Sequence, residues 1–131
     1  MLIMYLFIAH VTMKCEFPLD ADVTIPGTVI ASPNHPNAYE PYTDCRATIT
    51  FTKRILLRFL KFDIGEMETC SDNLIIYDES FGQIGPKLCN GANPTEIESI
   101  GNEIRIEFYT DRMTHRTGFQ IQVLEIGRQI L

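Results

Sequence analysis

The stretch Glu103–Phe108 decides the fold class, because its residues (Glu-Ile-Arg-Ile-Glu-Phe) alternate between charged and apolar without a break. Successive side chains of a β-strand point to opposite faces, so this alternation is typical of a strand with one buried face. Ile104, Ile106 and Phe108 are therefore predicted to face a core, and the charged residues between them to face water.

Other segments on either side of this strand have a similar pattern. Phe119–Val123 repeats the alternation, and Ala47–Phe51 does so with threonines on the polar side. Ile55–Leu60 is more continuously apolar, as expected of a strand buried on more than one side, and Leu74–Tyr77 is a shorter candidate. No window of about a dozen residues has a convincing helical period. Strands at a spacing of roughly ten residues, joined by Pro, Gly and Asn, predict an all-β, two-sheet antiparallel β-sandwich.

The chain contains four cysteines, Cys15, Cys45, Cys70 and Cys89, and no CxxC pair. A structural zinc site usually needs such close pairs, so the spacing favours two disulfides in a secreted domain. Four buried free thiols in a cytosolic protein remain an alternative. Of the three possible connectivities, the sequential one closes two local loops without crossing.

Length and charge limit the possible functions. A chain of 131 residues fits one domain, and a formal net charge of -6 with scattered basic residues disfavours nucleic acid as a partner. The acidic residues concentrate between positions 63 and 79, where no basic residue occurs. A solvated loop is the usual explanation for such a run, but a bound cation would also balance it. The six carboxylates are Asp63, Glu66, Glu68, Asp72, Asp78 and Glu79.

The first residues, 1–13, are predominantly apolar and are expected to be either a secretion signal or an apolar N-terminal strand, with the signal favoured. They are too short to span a bilayer, and no later segment is apolar and long enough to do so. We expect one domain over residues 15–127 and a tail over 128–131. The loop Ser32–Tyr39 contains two prolines, so it is predicted to run over the surface rather than through a sheet.

A series of short strings resembles the CUB domain in both order and spacing, over roughly residues 15–127. Each string is weak evidence by itself, but together they are specific. They are Gly27–Tyr39, Cys45, Ile55–Asp63, Cys70, Leu74–Asp78, Leu88–Cys89, Ile106–Asp111 and Thr117–Phe119.

This resemblance implies an extracellular, jelly-roll-like β-sandwich with sequential disulfides, Cys15 with Cys45 and Cys70 with Cys89. It also implies binding to other proteins, and sometimes to glycans, rather than catalysis. An enzyme is the weaker alternative, because the sequence contains no GxSxG, HExxH or other catalytic motif.

Many CUB domains also have a calcium site at one end of the sandwich, and this chain resembles them there. Tyr39, Asp72 and Asp111 match the positions of that site directly. The glutamate position is displaced, because Gly65 stands where the family usually has it and Glu66 follows. The segment between Cys70 and the next strand is also one residue shorter than usual. A glycine could let the backbone bend so that Glu66 reaches the same place.

The resemblance therefore implies that Glu66, Asp72 and Asp111 bind Ca²⁺, with Tyr39 contributing mainly through packing. Carboxylates of this kind are the oxygen ligands that calcium prefers. The resemblance further implies that Glu66 and Asp111, with Tyr39 beside them, bind a Lys or Arg side chain of another extracellular protein. The alternative is a calcium-independent CUB module that binds glycans or has a structural role in a larger secreted protein.

Overall fold

The computed structural model of the protein describes residue 15, residues 22–112 and residues 116–129. The predicted segment 1–13 lies outside the described residues. The described residues form nine β-strands: β1 (Asp22–Val23), β2 (Val29–Ala31), β3 (Asp44–Thr50), β4 (Lys53–Asp63), β5 (Asn73–Asp78), β6 (Gly82–Gln83), β7 (Glu96–Glu98), β8 (Glu103–Tyr109) and β9 (Gly118–Gln129).

The strands form two sheets, with orders β1-β3-β8-β5-β6 and β2-β9-β4-β7. The prediction of an all-β, two-sheet sandwich is confirmed. Strand pairing is antiparallel except between β1 and β3, which are parallel. No helix in the described part of the chain is long and apolar enough to cross a bilayer. Strand β9 ends at Gln129, which lies within the segment 128–131 that we expected to be a tail.

The core lies between the sheets and follows the predicted alternation. In β8, Ile104, Ile106 and Phe108 are fully buried, while the charged residues between them are half-buried. In β9, Phe119 and Ile121 are fully buried in the same way. Because both strands are central in their sheets, their apolar faces meet and exclude water from the core.

Strand β4 agrees with its prediction only in its first half. The consecutive residues Ile55, Leu56 and Leu57 are all buried, which shows that both faces of the strand are covered there. Leu60 is 44% exposed, so the expectation of burial is wrong at this position. The physical reason is a β-bulge between Phe59 and Lys61, where the pairing with β9 shifts register and the strand bends.

Both disulfides have the sequential connectivity, Cys15 with Cys45 and Cys70 with Cys89. This confirms the pairing that the resemblance implied. The second disulfide closes a loop with a sequence separation of 19. It ties the segment that follows β4 to the segment that precedes β7.

Termini of strands from both sheets meet at one end of the sandwich, which we call the acidic end. Strand β5 begins and β8 ends there, because Asn73 pairs with Tyr109. Strand β4 ends and β9 begins there, because Asp63 pairs with Gly118. Antiparallel pairing therefore brings together loops that are distant in the sequence.

Candidate functional site

Asp72 lies at the centre of the acidic end and is only 2% exposed. Its Oδ2 accepts a hydrogen bond of 2.8 Å from the Tyr39 hydroxyl, and its Oδ1 accepts one of 2.8 Å from the Asp111 N–H. The Asn73–Tyr109 pairing explains this contact, since Asp72 precedes Asn73 and Asp111 lies two residues after Tyr109. Asp72 is thus fixed by two donors, as a buried carboxylate requires.

Tyr39 connects this carboxylate to the core. Its buried ring packs edge-to-face on Phe108, with ring centroids 5.1 Å apart. Its hydroxyl donates to Asp72 and accepts a hydrogen bond of 3.0 Å from the Gly65 N–H. The ring of Tyr39 therefore packs in the core, and its hydroxyl orients the Asp72 carboxylate and the loop that contains Gly65. Whether Tyr39 contacts a partner stays a prediction.

The carboxyl group of Asp111 influences the ionisation of Asp72. Burial raises the pKa of Asp72, and the nearby Asp111 carboxyl raises it further. The hydrogen bonds from the Asp111 N–H and the Tyr39 hydroxyl lower the pKa but do not cancel these effects. The pKa of Asp72 is consequently raised above its ordinary value. Two carboxylates in contact repel each other, and a cation between them would remove the repulsion. The chemistry of this pair therefore fits calcium.

Gly65 forms a bend, but the Glu66 carboxylate that follows it pairs with Arg116 and does not reach the position that the sequence hypothesis gave it. The Gly65 φ of +61° is left-handed, and a Cβ at this position would lie 2.8 Å from the Asp72 carbonyl oxygen. The following turn is closed by a hydrogen bond of 2.9 Å from the Cys70 N–H to the Glu66 carbonyl oxygen. Despite the short segment after Cys70, this geometry leaves Asp72 within reach of both of its donors.

The Glu66 carboxylate does not join the pair. It is directed to Arg116, whose Nη2 donates to both of its oxygens at 2.9 and 3.1 Å. Arg116 Nη1 also lies 3.7 Å from Asp63 Oδ1. Among the described residues, no three His, Cys, Asp or Glu side chains are grouped so that they could hold a metal ion. The fold therefore brings Asp72 and Asp111 together with Tyr39, and holds Glu66 in a separate ion pair.

Asp63 and Arg116 belong to this end of the sandwich but were not predicted as site residues. Asp63 Oδ1 accepts from Asn90 Nδ2 at 2.9 Å, and Oδ2 accepts from the Thr117 N–H and hydroxyl, each at 3.0 Å. Burial opposes ionisation of Asp63, but the donors from Asn90 and Thr117 and the nearby Arg116 outweigh it and lower its pKa. The only sequence signal that could have identified them was their position. Asp63 ends the matching string Ile55–Asp63, and Arg116 directly precedes the matching string Thr117–Phe119.

The loop Ser32–Tyr39 contains turns and exposed residues, as predicted, but both of its ends are buried. Ser32 Oγ accepts a hydrogen bond of 3.0 Å from the Phe119 N–H. This bond anchors the loop to the beginning of β9. The anchored loop delivers the Tyr39 side chain into the core beneath the acidic end.

The two-sheet sandwich that the nine strands of the described residues form, with its two sequential disulfides, is that of a small disulfide-linked β-sandwich module. The chain belongs to the CUB domain family, whose family model matches residues 15–123.

Similar proteins support this assignment. The human Tolloid-like protein 1 is 33% identical over 111 residues, which cover 80% of this chain and 11% of that protein. The human tumor necrosis factor-inducible gene 6 protein is 31% identical over 105 residues, covering 76% of this chain and 38% of that protein. The chain thus spans only a minor part of these relatives.

Solved structures show the same fold. The MASP-1 CUB2 domain bound to Ca²⁺ has a TM-score of 0.70 and 26% identity, covering 79% of this chain and 96% of that chain. The full extracellular region of zebrafish Gpr126/Adgrg6 has a TM-score of 0.74 and 24% identity, covering 83% of this chain and 15% of that chain. A CUB domain with a comparable fold therefore binds calcium.

Proposed function

We propose that this chain is a non-catalytic extracellular module that binds another protein, and that calcium held by Asp72 and Asp111 orders its binding end. The observation that carries the proposal is the contact between these two acids. Asp72 is buried, its pKa is raised in part by the Asp111 carboxyl, and both belong to loops at one end of the sandwich. Calcium would neutralise the pair and fix the two loops relative to each other.

Glu66 is the proposed third carboxylate ligand, and it joins the pair when it leaves Arg116. Water and backbone carbonyl groups would complete the coordination of about six to eight oxygens. The free oxygens of Glu66 and Asp111 would then receive a Lys or Arg side chain of the partner. A partly exposed ion pair contributes only about 0 to 1 kcal/mol, so useful affinity needs several modules or copies acting together.

An extracellular location is supported by the two disulfides, which persist in oxidising compartments. It is also supported by the likeness to the extracellular region of zebrafish Gpr126/Adgrg6. A non-catalytic role is supported by the match of residues 15–123 to the CUB domain, a module that the chain shares with only a small part of an enzyme relative. For zinc metalloproteinase nas-39 of Caenorhabditis elegans, the match covers 11% of the protein.

Calorimetric titration with CaCl₂ tests the calcium part of the proposal. We expect saturable binding by the wild type and its loss in Asp72→Asn and Asp111→Asn. Asp44→Asn is the matched control, because Asp44 is an exposed aspartate that pairs with Tyr109 at the same end of the sandwich. A flat wild-type titration, or equal binding by all four proteins, would contradict the proposal.

Recognition of a basic side chain can be tested without knowing the partner. In an NMR titration, N-acetyl-lysine methylamide should shift the amide signals of Glu66 and Asp111 in the presence of calcium and not in EGTA. N-acetyl-glutamine methylamide is the neutral control. Equal shifts with both compounds would count against a site for a cation.

A calcium-independent module is the second candidate, and the Glu66–Arg116 ion pair favours it. The Arg116 guanidinium neutralises this carboxylate at 2.9 Å. Such a module would bind glycans or have a structural role in a larger secreted protein. It predicts a flat calcium titration together with partner binding that EGTA leaves unchanged.

A further inference from the structure

Arg116 is a basic side chain that the protein itself places at the acidic end. Its Nη2 donates to both oxygens of Glu66 at 2.9 and 3.1 Å, and its Nη1 lies 3.7 Å from Asp63 Oδ1. Between positions 63 and 79 the sequence contains six carboxylates and no basic residue. Arg116 therefore supplies from β9's side of the sandwich a positive charge that this acidic segment lacks.

We propose that Arg116 sets the calcium affinity of the acidic end by competing with the ion for Glu66. This inference rests on the proposed function, since it assumes that Asp72 and Asp111 hold calcium. Glu66 cannot give both carboxylate oxygens to Arg116 and also coordinate an ion beside Asp72. Each calcium-binding event must therefore break the ion pair between Glu66 and Arg116, which lowers the apparent affinity.

The backbones on both sides of this ion pair are anchored. The Arg116 carbonyl oxygen accepts a hydrogen bond of 3.2 Å from the Tyr39 N–H, and the next residue, Thr117, is held by Asp63. The Glu66 carbonyl oxygen accepts from the N–H of Cys70, which is linked to Cys89. The main chain at both residues is thus fixed, and only the side chains have to move.

The side chains themselves can separate at small cost. They are 37% exposed in Arg116 and 62% exposed in Glu66, so water can solvate each of them when the pair opens. Exposed ion pairs are weak, and salt screens them. After Glu66 has left, Arg116 remains beside Asp63, which keeps its charge partly compensated. The exchange is therefore reversible and does not require unfolding.

The test compares the calcium affinity of Arg116→Gln with that of Arg58→Gln by calorimetry. The second variant is the matched control, because Arg58 forms a similarly exposed ion pair with Glu96 in the middle of β4, at 3.2 Å. Both variants remove one positive charge, so the control measures the general electrostatic gain. We expect Arg116→Gln to bind calcium about two- to five-fold more tightly than the control, the range expected for loss of one exposed ion pair.

A double-mutant cycle identifies the group for which Arg116 competes. In a Glu66→Gln background, Arg116→Gln should bring no more gain in calcium affinity than Arg58→Gln does, because the contested carboxylate is gone. Arg116→Lys keeps the charge and should bind calcium with an affinity between those of the wild type and Arg116→Gln. Thermal unfolding in EGTA confirms that each variant is folded before its affinity is compared.

The outcomes separate this inference from the proposed function. If Asp72→Asn abolishes calcium binding while Arg116→Gln binds no more tightly than Arg58→Gln, the competition is refuted and the calcium site stands. An excess of the Arg116→Gln gain over the Arg58→Gln gain that persists in the Glu66→Gln background would also refute it. If neither the wild type nor Arg116→Gln binds calcium, the proposed site fails and the inference fails with it.

Discussion

The Tyr39 hydroxyl donates a hydrogen bond of 2.8 Å to Asp72 Oδ2, across 33 residues of sequence. The same hydroxyl accepts from the Gly65 N–H at 3.0 Å. One aromatic side chain from the core thus holds both the buried carboxylate and the loop that leads to Glu66. The geometry of the acidic end depends on this contact.

Tyr39→Phe should destabilise the protein by about 1 to 3 kcal/mol, because it removes a donor from a buried carboxylate while keeping the ring. The free energy of unfolding in urea measures this effect. Tyr109→Phe is the control, since Tyr109 is 48% exposed and should lose less than about 0.5 kcal/mol. Equal losses in the two variants would show that the hydroxyl of Tyr39 does not support Asp72.

Gly65→Ala should be destabilising for two reasons. A left-handed φ of +61° strains any residue with a Cβ, and that Cβ would lie 2.9 Å from the Asp72 Cβ. Strain and overpacking together should lower the free energy of unfolding by about 2 to 5 kcal/mol.

Gly85→Ala is the matched control for this substitution. Its φ is +69° and nothing lies within 4 Å of the added Cβ, so only the backbone strain remains. We expect a loss of about 1 kcal/mol. If urea denaturation gives the same loss of unfolding free energy for both alanine variants, the close contact with Asp72 is not the reason why position 65 needs glycine.

Removal of the Cys70–Cys89 disulfide should loosen the acidic end specifically. The Cys70→Ser/Cys89→Ser variant opens a loop with a separation of 19 residues and should lose about 3 kcal/mol. Hydrogen exchange should accelerate most at the amides of residues 64–73. The Cys15→Ser/Cys45→Ser variant opens a separation of 30 residues and should lose a similar amount without this local effect. Identical exchange profiles would contradict the prediction.

Asp78 should make stability depend on pH. It accepts hydrogen bonds from the N–H groups of Ser80, Ile100 and Gly101 at 3.0, 2.8 and 2.9 Å. Burial opposes its ionisation, but these donors outweigh burial and lower the pKa of Asp78. Because the folded pKa lies below the unfolded one, the stabilisation is present above about pH 4 and is lost as pH falls through the folded pKa.

Asp78→Asn should therefore lower the free energy of unfolding by about 2 to 3 kcal/mol at neutral pH, and by less near about pH 3. Urea denaturation at both pH values measures the difference, with Asp44→Asn as the control at an exposed site. If the loss of unfolding free energy is the same at both pH values, the three N–H groups do not stabilise the negative charge of Asp78.

Much of the fold follows from local patterns. The alternation in Glu103–Phe108 correctly identified the buried residues, because strand geometry sends successive side chains to opposite faces whatever the tertiary context. The Leu60 prediction failed because a β-bulge depends on the partner strand, which a single apolar run does not reveal. The parallel β1–β3 pair is a second contact that alternation could not indicate.

The candidate site was predictable only in part. Matching strings placed Tyr39, Asp72 and Asp111 as candidates, and the fold joins these three through hydrogen bonds. Glu66 was expected beside them, yet it pairs with Arg116, 50 residues away in the sequence. Whether Glu66 pairs with Arg116 or lies beside Asp72 and Asp111 depends on where β9 begins relative to the loop after β4. The pairing of β4 with β9 sets that distance.

The sequence by itself determined the β-class, the buried faces of the main strands and the identity of the acidic residues, because these depend on side-chain period and composition. Only the tertiary structure decided which acids meet. Antiparallel pairing of β5 with β8 sets Asp72 against Asp111, and pairing of β4 with β9 sets Glu66 against Arg116. Contacts between distant residues follow from sheet topology and register, which require all the strands to pack at once.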